Sequence, residues 1–387
     1  MYKKSQKLIS FIRSLFKSEG DISLHEPIFD YKDKKILNEV IDSTFVSSVG
    51  PTVNEFESSI CDFTKSKYAV ACVNGTSAIH ISLILSGVLE DDEVITQSLT
   101  FVASCNAIHY CKASPIFLDV TKKDMGLSPE SLKDFIDHYC EMRNDGNCWN
   151  KTTNKIIRAC IATHTYGLAC SILEIKKICK EFNIKLIEDA AESLGTFISN
   201  THSGLVGDFG ILSFNGNKII TSGGGGMILI KNKKDAERAK HLTTTARVSN
   251  ELFFDHDMVG YNFRLPNLNA ALGLSQFSKL EEYINIKREV AEEYHEWGYK
   301  NGFNFVKEAQ NTKSNYWLNT ILCDDIEERD KILKDTNQNR IFSRPCWIPL
   351  HKLAFNKGFQ KSNLHNTDFL FERIVNLPSG VIKERLK

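Results

Sequence analysis

Short apolar segments alternate with longer segments of helical periodicity from about residue 67 onward. The apolar segments KYAVACV, DEVIT, SPIFLDV, NKIIRACIAT and IKLIED have the length and composition of buried strands. Patterns such as TSAIHISLILSGV and SILEIKKICKEF lie between them and repeat at the spacing of a helix. Strands separated by helices of ten or more residues indicate βαβ units and a largely parallel sheet. The sequence therefore predicts an α/β fold with helices flanking the sheet.

The chain is divided into unequal parts by two changes of pattern. Residues 121–155 are polar and predict an insertion, with an N-capped helix at SPESLKDF followed by a turn-rich loop. The stretch NAALGLSQFSKLEEYINIKREVAEEYHEW predicts one long unbroken helix, and the following segments predict strand, helix and strand. We expect an N-terminal helical segment at 1–30, a large α/β domain at 31–265, and a bridging helix with a small α+β domain at 266–387.

Composition excludes several classes of function. The 48 basic and 48 acidic residues balance, so no net field favours a nucleic acid or a membrane surface. No apolar run approaches about 18 residues, which predicts no membrane span. The 11 cysteines include no Cys-x-x-Cys pair, a pattern that favours buried thiols in a reducing cytoplasm over disulfides or a metal site. The segment MYKKSQKLISFIRSLFKSEG lacks a signal-peptide pattern, although a surface-lying membrane helix stays open as an alternative.

Polar groups follow three of the predicted strands. In VNGTSAIH, Gly75 and Thr76 lie at a helix N-terminus, where free amides and hydroxyls can bind a phosphate. In IKLIEDAAESLG, Asp189 lies at the carboxyl end of a strand, where open α/β sheets bind ligands, and Glu192 follows it. In ATHTYGLAC, His164 lies at another strand end. Each motif alone is also compatible with an ordinary turn or helix cap.

A lone lysine lies between a strand and a glycine-rich segment in ILSFNGNKIITSGGGGM. Ser213 and Lys218 fall at or just beyond the strand end, and a solvated hairpin is the alternative for this segment alone. A lysine in a dry pocket can condense with an aldehyde as a Schiff base. Pyridoxal phosphate requires such a lysine, an acid for its pyridine nitrogen, and donors for its phosphate. Successive strand ends of this chain offer all three.

Four separated motifs carry a family resemblance. NGTSA, EDAAES, SFNGNK followed by SGGGG, and GYNFRLPNLNAALGLSQ together resemble the DegT/DnrJ/EryC1/StrS sugar aminotransferases, which are pyridoxal-phosphate enzymes of fold type I. The match covers roughly residues 24–380 and implies a mostly parallel, seven-stranded type of sheet. LHEP, FVSSVGP, LTFVASCNAI and HLTTTAR are most similar to the LegC-type subgroup. That subgroup implies transfer of an amino group from L-glutamate to C4 of a UDP-linked 2-acetamido-4-keto-2,4,6-trideoxyhexose, on routes to bacillosamine-like and legionaminic sugars.

The resemblance also implies roles around the cofactor ring. Lys218 resembles the lysine that bonds to the cofactor and later moves a proton at the substrate carbon. Asp189 resembles the partner of the pyridine nitrogen, and Glu192 falls where a polar residue approaches the ring hydroxyl. Phe101, in LTFVAS, falls where an aromatic side chain stacks on the ring.

Phosphate and sugar contacts are implied in the same way. Gly75, Thr76 and Ser213 resemble phosphate ligands. Asn262 is similar to an asparagine that reaches the phosphate across a dimer interface, which implies a homodimer with shared active sites. His164 falls on the sugar side. The remaining candidates are cations for the sugar diphosphate, for each of which an ordinary surface charge is an equal alternative: Arg264, Arg344 and His351.

Three alternative functions stay open at the level of sequence. A sugar dehydratase on the same fold carries a histidine in place of the lysine, so Lys218 argues against it. A non-catalytic pyridoxal-phosphate sensor would be expected to lose Lys218 or Asp189, and both are present. Amination of a different substrate, either dTDP-linked or a 3-keto sugar, is compatible with every motif near the ring.

Overall fold

The structure is a computed structural model that describes residues 2–48, 50–248 and 253–386. Its strands are β1 (Tyr68–Cys72), β2 (Glu93–Gln97), β3 (Ser114–Leu118), β4 (Cys140–Met142), β5 (Cys148–Asn150), β6 (Lys155–Thr163), β7 (Lys185–Asp189), β8 (Phe197–Ile198), β9 (Thr201–His202), β10 (Phe209–Ser213), β11 (Gly226–Ile230), β12 (Arg247–Val248), β13 (Asp255–His256), β14 (Asn304–Phe305), β15 (Thr312–Lys313), β16 (Asn319–Leu322), β17 (Arg344–Pro345) and β18 (Ile374–Leu377). Its α-helices are α1 (Tyr2–Phe16), α2 (Tyr31–Asp42), α3 (Pro51–Thr64), α4 (Gly75–Leu85), α5 (Ala103–Tyr110), α6 (Pro129–Tyr139), α7 (Ile172–Glu181), α8 (Lys233–Thr243), α9 (Asn267–Phe277), α10 (Leu280–Asn301), α11 (Ile326–Gln338) and α12 (His365–Phe371).

The central sheet positions the site. Its strand order within the described residues is β1-β11-β10-β7-β6-β2-β3. Neighbours from β10 to β3 are parallel, whereas β11 is antiparallel to both β1 and β10. The strands are apolar along nearly their whole length because helices cover both faces of the sheet, which is the pattern expected for a buried parallel sheet. The predicted α/β fold and mostly parallel sheet are confirmed.

Crossover connections bring several strand ends to one edge of this sheet. Parallel strands β6, β7 and β10 end there at Thr163, Asp189 and Ser213. Strand β11 runs the other way, so its first residue, Gly226, pairs with Ser213 at the same edge. Strand β1 ends beside it, with Cys72 opposite Gly226. These strand ends, with the beginning of β11 among them, therefore form a continuous rim on which a ligand site can be built.

A second, smaller sheet forms in the C-terminal part of the chain. Its order in the described residues is β14-β16-β18-β17, with antiparallel pairs throughout, and α11 packs beside it. The prediction of one unbroken bridging helix is wrong, because the chain leaves the helix between Phe277 and Leu280 and forms α9 and α10. The loop predicted after α6 is instead a hairpin, β4 and β5, which extends the sheet beside β6.

The N-terminal helix packs into the smaller unit. The apolar side chains Leu8 and Ile12 of α1 are buried in one cluster with Tyr294, Phe303 and Ile321. This placement removes the alternative of a membrane-lying helix, because the apolar face of α1 is already covered by protein. In the described ranges, no helix combines the length and apolar character needed to cross a bilayer. The division at residues 30 and 265 stays a prediction.

Candidate active site

One cavity at the rim of the central sheet gathers most of the predicted site residues. Its volume is about 360 Å³. Elements far apart in sequence line it, because the parallel strands all deliver their carboxyl ends to this edge. Predicted residues along its wall are Gly75, Thr76, Phe101, Asp189, Glu192, Ser213 and Lys218.

One end of the cavity presents the groups that an anion would need. Asn74 caps helix α4, and its Oδ1 accepts a hydrogen bond of 2.7 Å from the Ser77 amide. Gly75 and Thr76 are the first helical residues, so their amides lie among the orphan donors of the helix start. Ser213 lies against Gly75: a Cβ added to this glycine would be 3.4 Å from the Ser213 Cβ. A phosphate placed here would meet amides, hydroxyls and the positive end of a helix dipole.

The glycine-rich segment allows this close packing of backbones. A Cβ on Gly226 would lie 2.4 Å from the carbonyl oxygen of Asn74, which is the cap of α4. Gly223 has a φ of +79°, a conformation that side chains with a Cβ rarely adopt. The glycines therefore let β11 begin directly against the turn at Asn74.

A carboxylate faces the cavity from the end of β7. Asp189 Oδ2 accepts a hydrogen bond of 2.7 Å from the Ser104 hydroxyl, and its Oδ1 accepts one of 3.2 Å from the Ala191 amide. The side chain is buried, so these two donors fix its direction. Such a fixed, buried carboxylate suits a cationic ring nitrogen. Ser104, on α5, was not among the predicted residues.

The amine of Lys218 lies between an acid and an aromatic ring. Its Nζ is 3.4 Å from Glu192 Oε1 and 4.1 Å from the ring centroid of Trp317, and the side chain is 14% exposed. The other carboxylate oxygen of Glu192 accepts a hydrogen bond of 2.8 Å from the Tyr166 amide. Burial raises the pKa of Glu192 and outweighs the opposing effects of Lys218 and the Tyr166 amide.

Aromatic side chains form the remaining wall, and sequence reasoning found only one of them. Phe101 is half exposed, and its ring centroid is 6.4 Å from that of Trp347. Trp347 rests in turn on Tyr166, at 4.9 Å between centroids. Trp317 and Trp347 come from the C-terminal part of the chain, where no motif marked them. Only their scarcity, as two of four tryptophans, could have singled them out.

These residues fit the donor set that pyridoxal phosphate requires. The start of α4 and Ser213 offer phosphate ligands, Asp189 offers a partner for a ring nitrogen, and Lys218 offers an amine. Apolar and aromatic side chains supply the flat walls that a planar ring needs. The structure brings all of these groups into one cavity.

His164 lies outside the cavity. Its ring is fully buried, with Nε2 3.0 Å from Glu188 Oε2, and its Nδ1 accepts a hydrogen bond from the Cys170 amide. Burial alone would raise the pKa of Glu188, but hydrogen bonds from His164 and from the amides of Gly204 and Gly207 lower it. The expected sugar contact of His164 is therefore not supported, because its polar atoms are already used inside the protein.

The predicted cations and the predicted phosphate asparagine also do not line this cavity within one chain. Asn262 is exposed, and its Oδ1 accepts hydrogen bonds of 3.2 and 3.1 Å from the Arg264 guanidinium. Arg344 is exposed on β17 and donates to Asn337 Oδ1 at 3.0 Å. His351 Nδ1 lies 2.7 Å from the Ser98 hydroxyl. Within a single chain, these four side chains are not brought together with Lys218.

Comparison with known proteins identifies the family. The sequence profile described as "DegT/DnrJ/EryC1/StrS aminotransferase family" matches residues 27–383. The chain belongs to this family. A GDP-perosamine synthase of Vibrio cholerae is 34% identical over 371 residues, covering 95% of this chain and 96% of that protein. EpsN of Bacillus subtilis, described as a putative pyridoxal phosphate-dependent aminotransferase, is 35% identical over 364 residues, covering 93% and 91%.

Solved structures share the fold of this family member. Helicobacter pylori PseC, an aminotransferase of pseudoaminic acid biosynthesis, has a TM-score of 0.83 at 22% identity, covering 92% of this chain and 93% of that one. TlmJ of Streptoalloteichus hindustanus, an aminotransferase, has a TM-score of 0.84 at 22% identity, covering 93% and 94%. The protein is a sugar aminotransferase that depends on pyridoxal phosphate, so the predicted family, fold, enzyme class and cofactor are confirmed.

Proposed function

We propose that the enzyme transfers the amino group of L-glutamate to the C4 keto carbon of a UDP-linked 2-acetamido-4-keto-2,4,6-trideoxyhexose. The observation that carries the aminotransferase chemistry is the convergence of Lys218, Asp189 and the start of α4 on one cavity. The subgroup motifs LHEP, FVSSVGP, LTFVASCNAI and HLTTTAR support the UDP-linked 4-keto substrate. The product would enter the synthesis of bacillosamine-like or legionaminic-type surface sugars.

Each polar group of the cavity has a distinct part in this reaction. Bound pyridoxal phosphate supplies an aldehyde that takes up amines and a ring that accepts electrons from a breaking C–H bond. Asp189, oriented by Ser104, would hold a proton on the ring nitrogen. Lys218 Nζ would take a proton from the donor carbon and return one to the sugar carbon, since it lies within the same small cavity. Glu192 would orient that amine from its fixed position.

A GDP-linked keto sugar is a second candidate substrate. The observation that favours it is the 34% identity to a GDP-perosamine synthase over nearly the full length of both chains. Motifs around the cofactor do not distinguish the two nucleotides, because the nucleotide extends beyond the ring. A dTDP-linked or 3-keto sugar stays a further alternative on the same grounds.

A panel of nucleotide sugars separates these candidates. The holoenzyme would be incubated with L-glutamate and, separately, UDP-, GDP- and dTDP-linked 3- and 4-keto sugars, and amino-sugar formation followed by mass spectrometry. We expect the UDP-linked 2-acetamido-4-keto sugar to be aminated with the highest kcat/KM. A clear preference for the GDP-linked sugar would establish the second candidate, and amination of none would contradict the substrate class. Replacing L-glutamate by other amino acids tests the donor.

The role of Lys218 has its own test. Borohydride reduction of the holoenzyme should fix the cofactor to Lys218, which peptide mass spectrometry locates. Lys218→Ala should lose both the covalent adduct and amination. Lys231→Ala is the control and should keep both, because Lys231 follows the end of β11 that lies away from the cavity. An adduct that survives in Lys218→Ala would show that the assignment is wrong.

We further propose that the enzyme is a homodimer with shared active sites, working in the cytoplasm. Free thiols at all 11 cysteines, every one within the described part of the chain, support a reducing compartment. Exposed apolar side chains at Phe45, Phe254 and Val259 support an interface. Asn262 is exposed as well, so a neighbouring chain's cavity would be within its reach if its hydrogen bonds to Arg264 gave way.

Mixed dimers test the sharing directly. Lys218→Ala and Asn262→Asp proteins, each of low activity alone, would be unfolded together and refolded, or coexpressed with different tags. If Asn262 serves the partner's cavity, each mixed dimer contains one intact site and recovers up to half of the wild-type activity. If each chain builds its own site, no mixed dimer recovers activity. Mass measurement in solution reports whether dimers form at all.

A further inference from the structure

Trp317 contacts the amine that the proposed reaction depends on, yet no motif assigned it a role. It belongs to the segment that leads into β16 of the smaller sheet, and its ring is buried. The Lys218 Nζ lies 4.1 Å from the ring centroid, within the range of a cation–π interaction. A side chain from the C-terminal part of the chain thus covers one side of the Lys218 amine.

The position of Trp317 is fixed from three directions. Its indole Nε1 donates a hydrogen bond of 2.7 Å to the carbonyl of Asn217, the residue before Lys218. Its backbone amide donates to Asn315 Oδ1 at 2.9 Å, and its carbonyl accepts a hydrogen bond of 3.1 Å from Lys287 Nζ. Two of these hydrogen bonds hold the backbone of Trp317, and the ring cannot turn away from Lys218 without breaking the third, to Asn217.

The buried side-chain amide of Asn315 joins Trp317 to Glu192, which is the other residue in contact with the Lys218 amine. Asn315 Nδ2 donates to the carbonyls of Glu192 and Leu194 at 3.0 and 2.9 Å, while its Oδ1 holds the Trp317 amide. Asn315 is fully buried. Asn315 thereby ties the backbone at Glu192 to the backbone at Trp317, and the amine of Lys218 lies between the side chains of these two residues.

We propose that Trp317 is the positioning residue that holds the Lys218 amine during the part of the reaction in which that amine is not bonded to the cofactor. In any transamination the lysine must be released so that the migrating amino group can take its place, and it must then move protons from a defined position. A free lysine has four rotatable carbon bonds and disperses over many rotamers. An aromatic face on one side and a carboxylate on the other remove that freedom. This inference rests on the role of Lys218 proposed above.

Substitutions at Trp317 separate ring contact from packing. Trp317→Phe keeps an aromatic face and loses the hydrogen bond to Asn217, whereas Trp317→Leu keeps apolar bulk and loses the face. Trp347→Leu is the matched control, since Trp347 lines the same cavity from the C-terminal part of the chain and has its own contacts with Phe101 and Tyr166. Thermal unfolding and cofactor content would be measured for all three.

The first measurement does not depend on activity. In cofactor-free protein, Lys218 would be labelled by reductive methylation with formaldehyde, and the rate followed at this residue by peptide mass spectrometry. We expect Trp317→Leu to be labelled about tenfold faster than wild type, because a desolvated cation–π contact contributes on the order of the 1.4 kcal/mol that corresponds to a factor of ten. Trp317→Phe and Trp347→Leu should stay within about threefold of wild type.

The second measurement compares kcat with KM, which separates an effect on the chemical step from an effect on sugar binding. With the holoenzyme, Trp317→Leu should lower kcat and the single-turnover rate with L-glutamate by about tenfold, with KM for the sugar unchanged, and Trp317→Phe should recover most of the loss. A raised KM with kcat unchanged, or equal labelling rates in all variants, would overturn the inference. Failure of the proposed function is distinct from either result, because the borohydride adduct would then be absent from Lys218 in the wild-type protein.

Discussion

The buried amine of Lys287 should make the stability of the protein rise with pH above neutrality. Its side chain is fully buried on α10, and it donates hydrogen bonds to the carbonyls of Trp317 and Ser379. Burial lowers the pKa of Lys287 from its ordinary value of 10.5 to about 7. Between these two values the unfolded chain binds a proton that the folded protein does not, so raising the pH favours the folded state. The difference corresponds to about 5 kcal/mol at 1.36 kcal/mol per pH unit, as an upper limit.

Lys287→Met isolates this effect because it removes the titrating group. Urea unfolding would be measured for wild type and variant from pH 6 to pH 10. The free energy of unfolding of wild type minus that of the variant should be constant below about pH 6.5 and should rise by about 1.4 kcal/mol per pH unit between about pH 7.5 and 9.5. The variant also leaves two carbonyls without a donor, at a cost of about 1–3 kcal/mol each that does not depend on pH. Lys300→Met, at an exposed position of the same helix, controls for charge removal. Parallel curves for wild type and Lys287→Met would refute the reasoning.

Two further substitutions test the framework of the site. Gly167→Ala should lower the free energy of unfolding by about 2–4 kcal/mol, because its φ is +90° and the added Cβ would lie 2.0 Å from Asn315 Oδ1. Gly146→Ala, with φ +75° and open space around the Cβ, should cost only about 1 kcal/mol, and equal losses in urea unfolding would contradict the argument. Ser104→Ala removes one of two donors to Asp189 and should lower kcat about tenfold with cofactor content retained; an unchanged kcat would show that the aspartate needs no such support.

The sequence was sufficient to bring candidate residues together where they follow strands, although their roles stay predictions. Asp189 and Ser213 end their strands and Gly75 follows the end of β1, and parallel strands with helical crossovers must bring those ends to one edge. The periodicity of the strands was therefore sufficient to place them together. Lys218 and Glu192, a few residues beyond such ends, were carried to the same place by short connections.

Residues whose position depends on contacts between distant segments could not be predicted. Trp317 reaches the cavity through hydrogen bonds to Asn217, Asn315 and Lys287, none of which has a periodic signature in the sequence. The backbone of His164 does lie beside Asp189, as strand ends predict, but its side chain bonds to Glu188 and Cys170 instead of lining the cavity, since a strand end does not fix which way a side chain points. The break between α9 and α10 was missed because the helical pattern continues through the interruption.

The burial of α1 against distant parts of the chain constrains the order of folding. Helix α1 is synthesised before most of the residues that cover Leu8 and Ile12, which lie beyond residue 285. Its apolar face must therefore stay uncovered while most of the large sheet is being made, and long-range contacts of this kind form slowly. We expect the nascent large unit to reach its own sheet first and the smaller unit to close last. Completion of the cavity, which needs Trp317, would then coincide with the final step of folding.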